Sequence, residues 1–241
     1  TFTTPSARTE RSSPSSPAPG PRRCESSISH RRERVRPPRT RVLARSLFEA
    51  LQAPVGEDAG AAGSLRERVI TDAFLRGEAD RDQNVYLGRL FTRRLTHAVP
   101  DVIFQPVNLA EAALALRWAR EHAVPATLRG AASTAMGGAV PNDGGLTLDL
   151  SRLDQIDLDA ADGVVVVGAG ARLRTIHQRL AQAGLALRVY PSNLGGTLVG
   201  WFVTGGIGMN AYGHGRALDS VKAAEVLLPA GEHVRFHDDG R

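Results

Sequence analysis

The sequence predicts an α+β protein, and three observations carry that reading. Short apolar runs bounded by glycine and proline recur between residues 100 and 236 and read as strands. Two longer stretches, 108–123 and 172–183, space their apolar residues at helical intervals. The order opens as strand, helix, strand and then turns to hairpins, so it is not a regular βαβαβ series. The 241 residues suffice for one large or two small domains with a real core.

The elements follow in order. Leu65-Arg66-Glu67-Arg68-Val69-Ile70 reads as a short helix, and "PDVIFQP" (100–106) as a strand held between prolines. In "NLAEAALALRWAREHA", Asn108 stands where an N-cap is needed and Glu111 follows three residues later, a capping-box spacing. Ala112, Leu116 and Ala119 then fall on one face of that helix. "PATLRG" and "GGLTLDLSRL" read as the next two strands, and "QIDLDAADGVVVVGAGA" as a hairpin turning at Asp162-Gly163. A helix over 172–183 comes next, then a strand near Leu187-Arg188-Val189 and a long glycine-rich segment, 191–215. The last strand pattern, "AAEVLLPAGEHVRF", contains its own turn.

Residues 1–40 are rich in Ser, Pro and Arg and nearly free of periodic apolar residues, so they cannot bury enough surface to offset their ordering entropy. With "ARSLFEAL" as an isolated helical turn and "PVGEDAGAAGS" as a linker, residues 1–63 are expected to form a disordered basic tail and linker, and residues 64–241 the folded domain. Eleven arginines and three acidic residues lie in residues 1–45, a net of +8 against +5 for the whole chain, so the remainder is mildly acidic. That balance gives the folded part no basic face for nucleic-acid phosphates. No apolar run reaches the roughly 20 residues of a membrane span, and no apolar stretch marks a secretory signal at the N-terminus. One cysteine, Cys24, excludes an internal disulfide and a cysteine metal cluster and fits a reducing cytoplasm; no metal site is expected.

The stretch "VVVVGAGARLRTIHQRLAQAG" (164–184) has the strand, glycine turn and helix of a Rossmann dinucleotide site. It lacks what that site needs. Leu173 stands at the third glycine position, and "LALRVYP" (185–191) carries no acidic residue for the ribose hydroxyls. A glycine turn between a buried strand and a helix explains the stretch better than a nicotinamide site.

Two other segments are stronger candidates. In "LRGAASTAMGGAVP" (128–141) a run of small residues lets consecutive N–H groups turn inward as a nest for a polyanion. Ser133 and Thr134 add hydroxyl donors there, and Gly137 and Gly138 permit left-handed backbone and close approach. In "PSNLGGTLVGWFVTGGIGMNAYGHGRALDSV" (191–221) glycines are too dense for ordinary helix or strand, yet Leu198, Val199, Trp201, Phe202, Val203 and Ile207 are interleaved with them. That mixture suits a buried backbone pressed against a flat ligand.

Together these segments resemble the FAD-binding domain of the vanillyl-alcohol oxidase / p-cresol methylhydroxylase (PCMH-type) flavoproteins, a family that includes glycolate oxidase-like and D-lactate dehydrogenase-like enzymes. The resemblance runs from about Val69 to Arg235. It is carried by "PDVIFQPVNLAEAALALRWAREHAVPATLRGAASTAMGGAVP" and by "GGIGMNAYGHGRALDSVKAAEVLLPAGE". It implies a fold of two α/β subdomains, FAD as cofactor, and oxidation of an alcohol or 2-hydroxy acid, a small-molecule substrate, by hydride transfer to the flavin. Electrons would then pass to oxygen, a quinone or another carrier, or to a partner subunit.

The resemblance also implies the site. Arg129, Gly130, Ala131, Ala132, Ser133 and Thr134, with Gly137 and Gly138, would hold the pyrophosphate. Gly196, Thr197, Gly200, Gly205, Gly206 and Gly208 would lie along the ribityl chain and ring, with His214 beside them and Val226 presenting its backbone to the adenine end. No catalytic residue is assigned. The family's pyrophosphate loop usually reads Arg-Gly-x-Gly-Thr-Ser, and here Ala132 and Ser133 replace the second glycine and the threonine. Val199-Gly200 stands where two glycines are usual. Ser133 occupies the place from which a histidine tethers flavin in some members, and Cys24 is remote in sequence, so the FAD is expected to be held without a covalent bond. The substrate domain of such enzymes follows the FAD domain, and a chain ending at Arg241 is expected to be C-terminally incomplete and inactive alone. The rival reading is a non-catalytic or degenerate FAD- or nucleotide-binding module acting as a subunit or interaction domain. The departures at 132 and 199 favour it, while the dense glycines and Asp219 favour the flavoenzyme.

Overall fold

The computed structural model describes residues 40–55, 64–80, 82, 99–134 and 136–237, and all of them fall in one contact-defined unit, Arg36–Arg241. The disorder expected over residues 1–39 and the linker expected over 56–63 lie outside the described residues. Residues 40–55 correct the expected tail: they form helix α1 (Thr40–Val55). Leu43, Leu47 and Leu51, spaced four apart, lie on one face and are buried in the main core. The helix is tied to its neighbour where Trp118 Nε1 donates to Ser46 Oγ at 3.1 Å.

Helix α2 (Leu65–Arg68) stops two residues earlier than expected, because Val69 and Ile70 leave it as strand β1 (Val69–Ile70). Their backbone pairs antiparallel with β2 (Val102–Phe104), Val69 opposite Phe104, a tertiary pairing no local pattern announces. Helix α3 (Ala73–Glu78), which the sequence did not suggest, starts where the Asp72 carboxylate accepts from the N–H groups of Phe74 and Leu75. Helix α4 (Leu109–Glu121) begins as expected, with Asn108 Oδ1 accepting from Glu111 N at 2.8 Å. The other half of the expected capping box is absent. The Glu111 carboxylate instead takes Val107 N at 3.0 Å and both terminal nitrogens of Arg68.

Strands β3 (Ala126–Arg129) and β4 (Leu146–Asp149) complete a sheet of order β1-β2-β4-β3, in which β2, β4 and β3 are parallel. Leu43, Leu47, Leu51, Phe104, Trp118 and Leu148 belong to the core between this sheet, α1 and α4. The buried pair of Arg68 and Glu111 sits at its margin. Burial of both charges is offset by the paired contacts and by the Arg68–Gln105 carbonyl bond at 3.3 Å.

A second, smaller core follows. Strands β5 (Ile156–Asp159) and β6 (Val164–Val167) form the expected hairpin, its turn tightened by the Asp159 carboxylate, which accepts from Ala161 N and Asp162 N. Helix α5 (Leu173–Gln182) lays Ile176 and Leu180 against Ile156, with Leu158, Val165, Leu187 and Leu198 alongside. The strand expected near 187–189 does not form. Leu187 packs sideways into this core, Val189 is buried, and the only pairing nearby is a single bridge from Tyr190 to Met209.

The glycine-rich segment also departs from expectation, for it holds two short helices, α6 (Leu198–Val203) and α7 (Ala211–His214). Leu198 turns into the second core, while Val203 and Ile207 are 70% and 72% exposed. Their apolar side chains are therefore not all buried as the interleaving suggested. Strands β7 (Ala223–Leu227) and β8 (His233–His237) close the described chain as a hairpin, and Gly231 in its turn lies so close to α4 that a Cβ there would meet Ala113 O at 2.9 Å. No helix among the described residues is long and apolar enough to cross a membrane.

Candidate cofactor site

The turn at Gly168-Ala169-Gly170 gives most of its donors to the chain itself, with no run of consecutive free N–H groups across it. Gly168 N donates to Gln155 O at 2.9 Å, Gly170 N to Leu153 O at 2.8 Å and Ala171 N to Gly168 O at 3.1 Å. At the head of α5, Leu173 N and Arg174 N donate to Gly196 O and Leu194 O, both at 3.0 Å. A Cβ on Gly168 would be driven into the Leu153 carbonyl and one on Gly170 into that of Leu150. Glycine is required here by the chain's own close packing.

The loop after β3 differs in its hydrogen bonding. It starts at the C-terminal end of a strand in the parallel part of the sheet, where ligands of such sheets collect. Among the described residues, the N–H groups of Ala131, Ala132, Ser133 and Thr134 donate to no carbonyl or side chain. Ala132 is held at φ +48°, the left-handed conformation that an anion-binding nest uses. Four consecutive donors without a protein partner are what a polyanion cradle requires.

That loop interlocks with residues 193–197. A Cβ on Gly130 would stand 2.9 Å from Thr197 Oγ1, and one on Gly196 would stand 3.0 Å from Ser133 Oγ. Each glycine thus makes room for a hydroxyl of the other segment, and Asn193 Nδ2 donates to Ser133 O at 3.4 Å. Thr197 is buried, and its Oγ1 also accepts from Gly200 N at 3.1 Å, so one side chain fixes both Gly130 and the start of α6. Gly130, Ser133, Gly196, Thr197 and Gly200 are brought together.

The remaining site residues are placed differently. The Arg129 guanidinium donates to the carbonyls of Ala139 at 3.2 Å and Ala79 at 3.4 Å. Burial lowers its pKa from the ordinary arginine value, opposed by the carboxylates of Asp149, Asp82 and Asp80. Gly137 is at φ +72°, and Gly138 borders open space. Gly206 and Gly208 are shaped by the chain itself: a Cβ would strike Ala217 Cβ at the first and the Tyr190 carbonyl at the second. Gly205, at φ +100°, faces open space. His214 is exposed at the end of α7, and Val226 stands mid-strand opposite Val234. No hydrogen bond among the described residues joins 205–214 to the 130–134 loop.

Two participants escaped the sequence reading. Asn193 could have been noticed in "PSN" ahead of the glycines. Asp82 could not: it is buried, and its Oδ2 accepts from Gly137 N at 2.8 Å across 55 residues of chain. Among the described residues, no group of three or more His, Cys, Asp and Glu is placed to hold a metal.

The parallel sheet, the second α/β layer and an unspent donor loop define a domain that binds a phosphate-bearing cofactor. The family model for an FAD binding domain matches residues 100–237, and the chain belongs to that family, with the PCMH-type fold; its cofactor is FAD. An uncharacterized FAD-linked oxidoreductase of Mycobacterium tuberculosis is 34% identical over 137 residues, 56% of this chain and 30% of that protein. The D-lactate dehydrogenase of Archaeoglobus fulgidus is 28% identical over 133 residues, 55% of this chain and 30% of the enzyme. The fold is also that of 6-hydroxy-D-nicotine oxidase from Arthrobacter nicotinovorans, with a TM-score of 0.60 at 23% identity over 76% of this chain and 38% of that one. The chain spans about a third of the length of the curated relatives it matches.

Proposed function

We propose that this chain is the cofactor-holding part of a flavin oxidoreductase that oxidises an alcohol or 2-hydroxy acid. The observation that carries the reading is the run of unspent N–H donors at Ala131–Thr134, beside the Gly130/Thr197 and Ser133/Gly196 contacts. These groups suit the pyrophosphate of FAD in number and character, because backbone donors aimed at a polyanion need no reorganisation when it binds. Bound FAD supplies a hydride acceptor; the chain's own task is to hold and orient it. Ser133 and Thr134 add hydroxyl donors, and Thr197 fixes the junction between the loop and α6. Gly137 and Gly138 extend the pyrophosphate loop, Gly205 leaves room on the side expected for the flavin with His214 beside it, and Gly200 admits the Thr197 hydroxyl at the start of α6. Gly206 and Gly208 keep the segment's path by their contacts with Ala217 and Tyr190, and Val226 stands at the adenine end.

The D-lactate dehydrogenase relative supports a 2-hydroxy acid as substrate. The electron acceptor, oxygen, a quinone or a partner subunit, follows from the rest of such an enzyme. The folding unit is proposed to begin at α1 and run through β8, and the single cysteine favours a cytoplasmic setting. One observation favours the rival, a non-catalytic FAD-binding module: Ala132 occupies a left-handed position that glycine fills without strain. The test of the main reading is the visible spectrum of the purified chain, which should show flavin bands. Acid precipitation should then leave the flavin in the supernatant, since Ser133 forms no tether; a yellow pellet refutes the non-covalent reading. A colourless protein that takes up no added FAD refutes the proposal itself.

A further inference from the structure

The donor loop interlocks with residues 193–197, and the chain runs on from it toward the turn at 136–140. That turn is held by two charged side chains, Asp82 from 55 residues away and Arg129 from the end of β3. Asp82 is 4% exposed, and its Oδ2 accepts from Gly137 N at 2.8 Å. Its Oδ1 is buried with no partner among the described residues. Arg129, at the end of β3, reaches over the same turn to Ala139 O at 3.2 Å and ties it to Ala79 O at 3.4 Å. The turn closes on itself where Val140 N donates to Gly137 O at 3.1 Å. A buried carboxylate that spends one oxygen on a single loop N–H is a poor contributor to stability, since an apolar residue would fill the space without the desolvation cost. It is well suited to fixing one backbone conformation.

We propose that Asp82 is a positioning residue which, with Arg129, fixes the turn that follows the phosphate cradle and so selects for the pyrophosphate of FAD. The inference rests on the reading of residues 130–134 as the pyrophosphate loop. Asp82 touches no reacting group; it acts through Gly137 N and, by charge, through Arg129.

Titration calorimetry of the 241-residue chain with FAD, ADP-ribose and riboflavin tests it. ADP-ribose carries the pyrophosphate without the flavin ring, and riboflavin carries the ring without phosphate. D82A should weaken FAD and ADP-ribose at least tenfold and leave riboflavin within twofold. D82N, which keeps an oxygen for Gly137 N, should bind FAD within threefold of the native chain. Unchanged FAD affinity in D82A, or an equal loss for all three probes, overturns the inference while leaving the FAD reading intact. If D82A does not fold, D82N decides by 31P NMR at saturating FAD. Loss of the charge facing Arg129 should shift the phosphorus resonances while the visible flavin bands stay in place, and unmoved phosphorus resonances overturn the inference. A native chain that binds neither FAD nor ADP-ribose overturns the parent reading and the inference with it.

Discussion

The turn at Gly168-Ala169-Gly170 follows four valines and opens a ten-residue helix, whereas the turn at 130–134 contains one glycine and opens no helix. By its strand, glycine turn and helix alone the first has the outline of a phosphate site. Leu173 at the third glycine position and the missing acidic residue already argue against it. Hydrogen bonding agrees: the N–H groups of Gly168, Gly170 and Ala171 are given to Gln155, Leu153 and Gly168, and those of Leu173 and Arg174 at the head of α5 to Gly196 and Leu194. The second keeps four consecutive N–H groups unspent. Glycine thus has two separable uses in this chain: it admits the chain's own backbone at 168 and 170, and it admits a neighbouring hydroxyl at 130 and 196. A glycine motif marks a ligand site only where the donors it exposes have no partner in the protein.

The comparison can be broken or sharpened by substitution. The largest effect is expected at Gly170→Ala, whose Cβ would enter the Leu150 carbonyl; backbone must move, and stability should fall by about 3 kcal/mol or more. Urea denaturation measures this, and a fall below about 1 kcal/mol would remove the packing explanation for that glycine. Next comes Gly130→Asp, which brings bulk against Thr197 and negative charge beside the cradle. FAD affinity should drop about a hundredfold, about 2.7 kcal/mol, with the fold retained by circular dichroism. Ser133→Ala removes one hydroxyl donor but no backbone donor, so FAD affinity should weaken about fivefold, about 1 kcal/mol. No change would assign that hydroxyl to the contact with Gly196 alone. The smallest effect is expected for Ala132→Gly. Release from φ +48° should stabilise the chain by about 0.5–1 kcal/mol, the left-handed cost of alanine less the entropy glycine adds to the unfolded state. Its thermal midpoint should rise; a fall would show that the left-handed turn carries no strain.

Much of the architecture was legible where local chemistry decides it. Asn108 capped α4 as its spacing indicated, Asp162-Gly163 turned its hairpin, and the small residues after β3 formed the donor loop. What escaped depended on distant contacts. Leu43, Leu47 and Leu51 carry a plain helical period, yet they follow an Arg- and Pro-rich stretch whose composition argues against order. Only the contact with Trp118 and the sheet gives α1 its core. Val69 and Ile70 became a strand because Phe104 and Ile103 offered an edge. Leu187 and Val189 had strand chemistry but found no partner strand. The helices at 198–203 and 211–214 form in spite of their glycines, the first capped by Thr197, whose burial no nearby residue could forecast.

The interlock of the two loops is a contact between distant parts of the chain. Asn193 and Ser133 meet across 60 residues of chain, with the whole hairpin and α5 between them. Closing so long a segment costs entropy that is recovered only when both cores are already assembled. On the reading of residues 130–134 as the pyrophosphate loop, FAD would bind only a chain in which these two segments have met. Cofactor capture becomes a report on completed folding. Because FAD then binds the native state alone, its free concentration sets how far that step is pulled to completion.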